Sequence, residues 1–370
     1  QPYAYDRRHG QPARCLGRWT RHLGGAARPR AFLKRRSIWF AAPHAAEVRE
    51  SPIPEAGPNE ALVQTIVSAI SPGSELLVYR GQAPEGLADE TIAALGGAFG
   101  FPIRYGYAAV GRVVAVGPAA GDDWLGRLVF AFNPHESHFV APVSALIPLP
   151  EDVTPETAAF LPNMETAVSF VMDGRPVIGE QVAVLGQGVV GLLTTALLTD
   201  LPLAALVTLD GYALRRDWSR RLGAHMALEP GELDEARRAL QGLRDYAGAD
   251  LTYELSGNPR ALDAAVALTG YNGRVVVGSW YGRKRVEIDL GGAFHRAHMR
   301  IVSSQVSHLA PRWLGRWTKP RRLAVAWEML RRHRPERLIT HRLPLERAAD
   351  GYRLLDESPG EAVQVVFEYA

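Results

Sequence analysis

The sequence predicts an α/β protein in which a doubly wound parallel sheet follows a β-rich first part. Three features of the chain point there. From about Thr154 onward, continuous apolar runs alternate with amphipathic stretches: QVAVLG then VVGLLTTALL, ALVTLD then RRDWSRRLGA, DLTYELSG then PRALDAAVAL, with RVVVGSW closing the series. From Ser37 to Pro150, short apolar runs are broken by Pro and Gly, the texture of a small irregular barrel or sandwich. Between the two, QVAVLGQGVVGLL reads as a buried strand, a glycine-rich turn and a helix.

Composition narrows the function classes. A chain of 370 residues is long enough for two domains, and no stretch approaches 18 uninterrupted apolar residues, so no transmembrane helix is expected. The single cysteine, Cys15, excludes an internal disulfide framework and any multi-cysteine zinc site, which suits a reducing cytoplasm. The net charge of +3 is unevenly spread. Residues 1–36 carry ten Lys/Arg against one acid, Asp6, leaving thirty-two bases against thirty-eight acids, a net of −6, in the remainder. The basic character therefore belongs to a tail, and neither nucleic acid nor membrane is an expected partner. That tail reads as a disordered extension, an over-extended gene start or an Arg-rich targeting peptide.

Along the chain, ALVQTIVSAI, YAAVGRVVAVG, GRLVFAF and HFVAPVSALIPLP supply the strands of the first part. TPETAAF opens a helix, with Thr and Pro start signals and Glu in the first turn. After about Ser303 come a helix (RRLAVAWEML), the extended LITHRLP, the helix LERAADGYRLL and a last strand, AVQVVFEYA. There is no internal repeat.

The strongest chemical signal is the glycine turn. Gly186 permits the tight turn, Gly188 lets backbone approach a pyrophosphate, and Gly191 lets helix and strand pack closely. Gln187, Val189 and Val190 complete the loop, whose exposed N–H groups favour an anion by about 0.3–1 kcal/mol. Asp210 ends the next strand, where a carboxylate holds the adenosine ribose hydroxyls and repels a 2′-phosphate. NAD(H) is therefore expected over NADP(H), with Arg215 and Arg216 near enough to stack on adenine or reach a phosphate. Ser256 and Gly257, after the strand DLTYEL, complete the expected cofactor set together with Gly278, Ser279 and Trp280.

Several separated stretches in order, SPGSELLVYRG, GYAAVGRVVAVG, LPEDVTPETAAFLP, the glycine motif, RRLGAHMALEP and LITHRLPLERAADGYRLLDESPGEAVQVVF, resemble the medium-chain dehydrogenase/reductase superfamily of the zinc alcohol dehydrogenase type. The resemblance covers residues 37–370. It implies a chaperonin-10-like (GroES-like) catalytic domain, first part 37–160, interrupted by a Rossmann NAD-binding domain, 161–303, and completed by a return segment, 304–370. The active site would lie in the cleft between them, and a homodimer formed through nucleotide-domain edge strands is the implied assembly.

The departures from that family concern its metal. Pro72 stands where metal-dependent members carry a cysteine ligand, Tyr107 and Ala108 stand for the histidine and glutamate of their GHE motif, and a later glutamate of polyol-type members falls at about Pro162. The cysteine-rich lobe of the structural zinc is missing. No metal is expected, and SPGSELLVYRG, GYAAVGRV and LPNMETA are most similar to the zinc-less group named for the bacteriochlorophyllide hydroxyethyl dehydrogenase.

Without a metal, hydride transfer still needs a donor for the charge that develops on oxygen. Tyr107 is the first candidate; it either orients a substrate oxygen or fills the vacant metal space. Glu165 and Asn163, in LPNMETAV, border the implied cleft and either bind substrate or serve capping and a solvated face. His135 is a cleft candidate, while His138 reads as a hydrogen-bonding residue of a loop entering a strand. Trp280 and Tyr281 wall the pocket. Arg283 and Arg296, with Lys284 and Arg285, either bind a carboxylate or phosphate of a small-molecule substrate or form a solvated basic turn. The expected function is a zinc-independent, NAD(H)-dependent oxidoreductase on an alcohol/carbonyl pair. Quinone- or enoyl-type C=C reduction and nucleotide binding without turnover are the alternatives.

Overall fold

Residues 34–84, 100–241 and 248–369 are described by the computed structural model. The first strands are β1 (Lys34–Ala42) and β2 (Ala45–Pro52), an antiparallel pair whose alternation buries Ile38 and Phe40. Lys34, Arg35 and Arg36 belong to β1 and face acids: Lys34 pairs with Glu50 at 2.7 Å, Arg35 with Glu136 at 3.3 Å and Arg36 with Glu346. The expected extension is thus shortened by three residues, and residues 1–33 lie outside the described residues.

After β3 (Glu60–Ala69) comes a helix inside the region expected to be all β, α1 (Pro72–Tyr79). Pro-Gly-Ser reads locally as a turn, yet Pro72 occupies the first helical position, where its fixed φ and missing N–H cost nothing. The Glu75 side chain reaches back to accept the Ser71 N–H at 2.7 Å. The strands β4 (Ala109–Val116), β5 (Leu128–Ala131), β6 (His138–Pro142) and β7 (Ile147–Pro148) follow. His138 opens β6 half-buried beside Ser137, and burial followed by the Arg36 charge lowers its pKa.

The predicted helix start at Thr154 appears as α2 (Pro155–Ala158), capped by Thr154 Oγ1 accepting the Thr157 N–H at 3.2 Å. It leads into α3 (Leu161–Gly174). The alternating region then runs β8 (Gln181–Leu185), α4 (Val189–Thr199), β9 (Ala205–Leu209), α5 (Ala213–Arg221), β10 (Met226–Leu228), α6 (Leu233–Ala239), β11 (Ala249–Glu254), α7 (Ala261–Leu268), β12 (Thr269–Val277) and β13 (Arg300–Ser303). The return consists of α8 (Lys319–His333), β14 (Ile339–Pro344), α9 (Ala348–Glu357) and β15 (Gln364–Glu368).

Among the described residues the alternating strands form one parallel sheet in the order β10-β9-β8-β11-β12-β13. The order reverses between β8 and β11, which opens a crevice at the carboxyl ends of these strands. β13 is a sixth strand beyond RVVVGSW; only four residues long and largely exposed at the edge, it lacks the apolar run of a buried strand. β14 and β15 join the sheet of the first part, in the order β14-β15-β3-β4-β5-β7, with β6 paired to the first half of β3, Glu60–Gln64.

Helix α3 is shared by both sheets. Leu161, Met164 and Ala167 pack with Val67, Val110 and Phe130 of the first sheet, with Leu192 and Leu193 of α4, and with Trp327 and Leu330 of α8. One polar group interrupts this apolar contact. Arg322 of α8, wholly buried, donates from Nε (3.1 Å) and Nη2 (2.8 Å) to Glu165 Oε1, and from Nη1 to Ser169 Oγ at 2.9 Å. It also donates to the Val306 carbonyl. A buried charge pair is costly to break because the surviving partner stays desolvated. Arg322→Ala is expected to lower the unfolding free energy by about 3–5 kcal/mol. In the same denaturant titration, Arg331→Ala, which removes an exposed pair with Asp152, is expected to change it by less than about 1 kcal/mol.

Candidate functional site

At the carboxyl end of β8 each glycine of the motif has a separate steric reason. Gly186 has φ +92°, and a Cβ there would fall 2.5 Å from the Ser256 Cα. A Cβ on Gly191 would strike the Gly186 carbonyl oxygen. Gly188 caps α4, and nothing stands within 4 Å of where its Cβ would be, leaving the helix start open to an approaching anion. The turn therefore fits a dinucleotide pyrophosphate on its own geometry.

Asp210 stands at the end of β9, 7% exposed. Its Oδ2 accepts the Gln187 N–H at 2.7 Å and its Oδ1 the Tyr212 N–H at 2.8 Å, so the carboxylate ties the glycine turn to the next strand. The Gln187 side chain turns inward, donating to the Gly186 carbonyl and accepting from Thr195 Oγ1 at 2.9 Å. Val189 enters the core around α3, and Val190 packs at its margin. Arg215 lies over the Tyr212 ring and donates to the Pro359 carbonyl at 2.8 Å, with its Nη1 4.0 Å from Asp210. Arg216 donates to the Asp210 carbonyl and pairs with Glu229.

The ends of β11 and β12 form the neighbouring wall. Glu254, fully buried, accepts the Ser256 N–H at 2.8 Å and the hydroxyl protons of Ser256 and Tyr281. Burial, then the Glu254 charge, pushes the Tyr281 phenol well up. Ser279 Oγ accepts the Gly257 N–H at 2.9 Å. A Cβ on Gly278 would collide with Phe170 of α3, so only glycine lets this strand end lie against that helix. Trp280 is 37% exposed beside it. The following turn is fastened to the end of α1: the Arg283 N–H donates to the Gln82 carbonyl at 3.0 Å and its guanidinium to the Gly81 carbonyl.

The third wall belongs to the first domain. Gly106, at φ +117°, passes directly over the His135 imidazole, where a Cβ would sit 2.5 Å from the ring. That close approach aims the next residue, and Tyr107 Oη donates to Ser74 Oγ of α1 at 3.2 Å. Ser71 Oγ donates to Asn163 Oδ1 of α3 at 3.1 Å, joining the starts of the two helices. Ser71 and Ser74 were not among the expected site residues; the available signal was a hydroxyl pair on either side of Pro72 and Gly73. α1 links this wall to the previous one, since Leu77 lies 3.3 Å from where a Gly282 Cβ would stand.

Three expected site residues lie elsewhere. Glu165 is spent on Arg322, because a carboxylate on the buried side of α3 needs a cation. His135 is wholly buried: Nε2 faces Glu75 Oε2 at 3.0 Å, and Nδ1 faces Ser68 Oγ at 2.7 Å. Tyr352 donates to the same Glu75 oxygen at 2.6 Å, and Ser68 also meets Tyr369 Oη at 2.7 Å. Arg296 is exposed beside the start of β12, where Asn272 N–H donates to the Ala297 carbonyl, at the opposite end of the sheet from Gly278. At the metal-ligand positions, Pro72 begins α1, Ala108 is buried, and Pro162 lies in the first turn of α3. Among the described residues no group of three or more His, Cys, Asp or Glu is placed to hold a metal ion, and no helix is long and apolar enough to cross a membrane.

Comparison with known proteins agrees with this fold. Residues 189–314 match the family described as zinc-binding dehydrogenase. The chain is 24% identical over 300 residues to the L-threonine 3-dehydrogenase of Thermococcus kodakarensis, covering 73% of this chain and 82% of that protein. Its fold is similar to the alcohol dehydrogenase of Thermus sp. ATN1, with TM-score 0.69, 24% identity and coverage of 90% and 100%. It is also similar to an Escherichia coli alcohol dehydrogenase complexed with NADH, with TM-score 0.72, 19% identity and coverage of 90% and 99%.

The Gly106–His135 contact yields a local test. Gly106→Ala places a Cβ against the imidazole at a φ that L residues disfavour, and an unfolding free energy about 2 kcal/mol lower is expected by chemical denaturation.

Proposed function

We propose that this chain, an oxidoreductase of the zinc-binding dehydrogenase type with an alcohol dehydrogenase-like fold, uses NAD(H) to interconvert an alcohol and a carbonyl without zinc. The observation that carries the reading is the glycine turn joined to Asp210, together with the Tyr107–Ser74 hydroxyl pair of the first domain. Bound nicotinamide supplies or accepts the hydride. The chain's own part is to place a proton. Tyr107 Oη, half-buried, turns its one proton from Ser74 Oγ to the oxygen of a carbonyl substrate in reduction, and takes up the alcohol's proton in oxidation. Asn163, Tyr281 and Trp280 are assigned to substrate and cofactor contact in this reading.

Asp210 supports NAD(H) over NADP(H), because a buried carboxylate beside the ribose site repels a 2′-phosphate. The metal-free reading is supported by the donor set: proline has no ligand atom, a phenol bonded to serine is a poor substitute for imidazole, and alanine replaces a carboxylate. Likeness of SPGSELLVYRG, GYAAVGRV and LPNMETA to the bacteriochlorophyllide dehydrogenase group belongs to this proposal too; it extends to the reaction class and not to a pigment. A homodimer is part of the reading: β13 presents an unpaired edge carrying Ile301, 38% exposed, which a second copy would cover. A cytoplasmic site of action accompanies it. C=C reduction and binding without turnover are the rival outcomes.

Tyr107→Phe is expected to lower the rate of NADH-dependent carbonyl reduction about 100-fold while NADH affinity stays within about twofold; an unchanged rate removes the proton-donor role. Wild-type protein is expected to bind NADH at least about tenfold more tightly than NADPH in a fluorescence titration and to carry no stoichiometric zinc by elemental analysis. Equal affinities, or one zinc per chain, overturn those two parts respectively. Turnover confined to quinones or enoyl substrates selects the C=C reading, and cofactor binding without turnover on either panel selects the non-enzymatic one.

A further inference from the structure

A dinucleotide brings two negative charges to the glycine turn, yet residues 186–191 contain no cation. The neighbouring arginines are engaged with protein. Arg215 is committed to the Pro359 carbonyl and the Tyr212 ring, Arg216 to Asp210 and Glu229, Arg80 to Asp356, and Arg283 to the Gly81 carbonyl. Lys284 differs. Its ammonium makes one hydrogen bond among the described residues, from Nζ to the Gly257 carbonyl at 2.9 Å, and no ion pair. An ammonium has three donors, so two remain.

The location matters as much as the spare donors. Gly257 follows Ser256, whose backbone is the surface against which Gly186 turns, so Lys284 Nζ stands two residues from the pyrophosphate turn. The lysine is held there from both sides. Its own N–H donates to the Tyr281 carbonyl at 3.2 Å, and the preceding Arg283 is bonded to Gln82 and Gly81 at the end of α1.

We propose that Lys284 binds the nicotinamide-side phosphate of the dinucleotide, making it the cofactor's charge partner at the seam between the two domains. The inference rests on the nicotinamide-cofactor reading above. Burial, then the Arg80 charge, lowers the Lys284 pKa against a smaller opposing pull from the Glu254 carboxylate, and a phosphate would add to that pull. Lys284 positions the cofactor and takes no part in proton transfer. Because the turn that carries it is bonded to α1, cofactor capture is coupled to contact between the domains.

The test uses the full chain and fluorescence or calorimetric titration with NADH, ADP-ribose and 5′-AMP. Lys284→Met is expected to weaken NADH and ADP-ribose about ten- to a hundredfold and to leave 5′-AMP, which lacks the nicotinamide-side phosphate, within about twofold. Lys284→Arg is expected to restore most of the affinity. Wild-type affinity for NADH should fall as pH rises through a lysine pKa below its ordinary range, whereas Lys284→Arg should hold its affinity there. NADH binding by Lys284→Met within about twofold of wild type overturns the proposal, as does an equal loss for 5′-AMP, which signals general damage. If wild-type protein binds neither NADH nor NADPH, the cofactor reading itself fails.

Discussion

A buried guanidinium fixes the helix on which both halves of this protein depend. Arg322 satisfies Glu165 and Ser169 of α3 and the Val306 carbonyl, which lies on the crossing out of the parallel sheet. α3 in turn touches every wall of the cleft. Asn163 near its start is bonded to Ser71 at the head of α1, and Phe170 lies where any side chain on Gly278 would go. A shift of α3 along its axis would therefore move the hydroxyl-bearing wall and the end of β12 together. Apolar packing alone tolerates sliding; an ion pair with three fixed acceptors does not.

The polar side chains around α1 and the end of β12 are largely hydroxyls. Ser71, Ser74, Tyr107 and Tyr281 are each held by a defined partner. The charged groups of the first domain are drawn inward instead. Glu75 gathers His135, Tyr352 and the Ser71 N–H around one carboxylate, which anchors the first turn of α1 beneath the surface that Ser74 presents. The ionised groups of this network are thus satisfied in the interior.

What was legible in the sequence was local. The glycine turn and Asp210 lie within one strand–helix–strand unit, so spacing alone predicts their geometry, and the alternation of apolar runs predicts the parallel sheet. What was illegible depended on distant partners or weak local signals. Glu165 looks like a cleft acid until Arg322, 157 residues later, is seen to neutralise it. His135 looks reactive until Glu75 and Ser68, 60 and 67 residues earlier, are found on its two nitrogens. α1 hid behind a Pro-Gly turn signal, and β13 is too short and exposed to show a buried-strand pattern. Arg296 was assigned by charge, which carries no information about the end of the sheet on which a residue falls.

The passage of Gly106 over the His135 ring has a meaning for descent as well as for structure. The two positions share one volume: a lineage that enlarges residue 106 must first shrink or relocate the imidazole, and losing the imidazole leaves Glu75 to Tyr352 and the Ser71 N–H. In an alignment of this chain's relatives, a side chain at position 106 should therefore occur only where residue 135 is smaller than histidine or displaced.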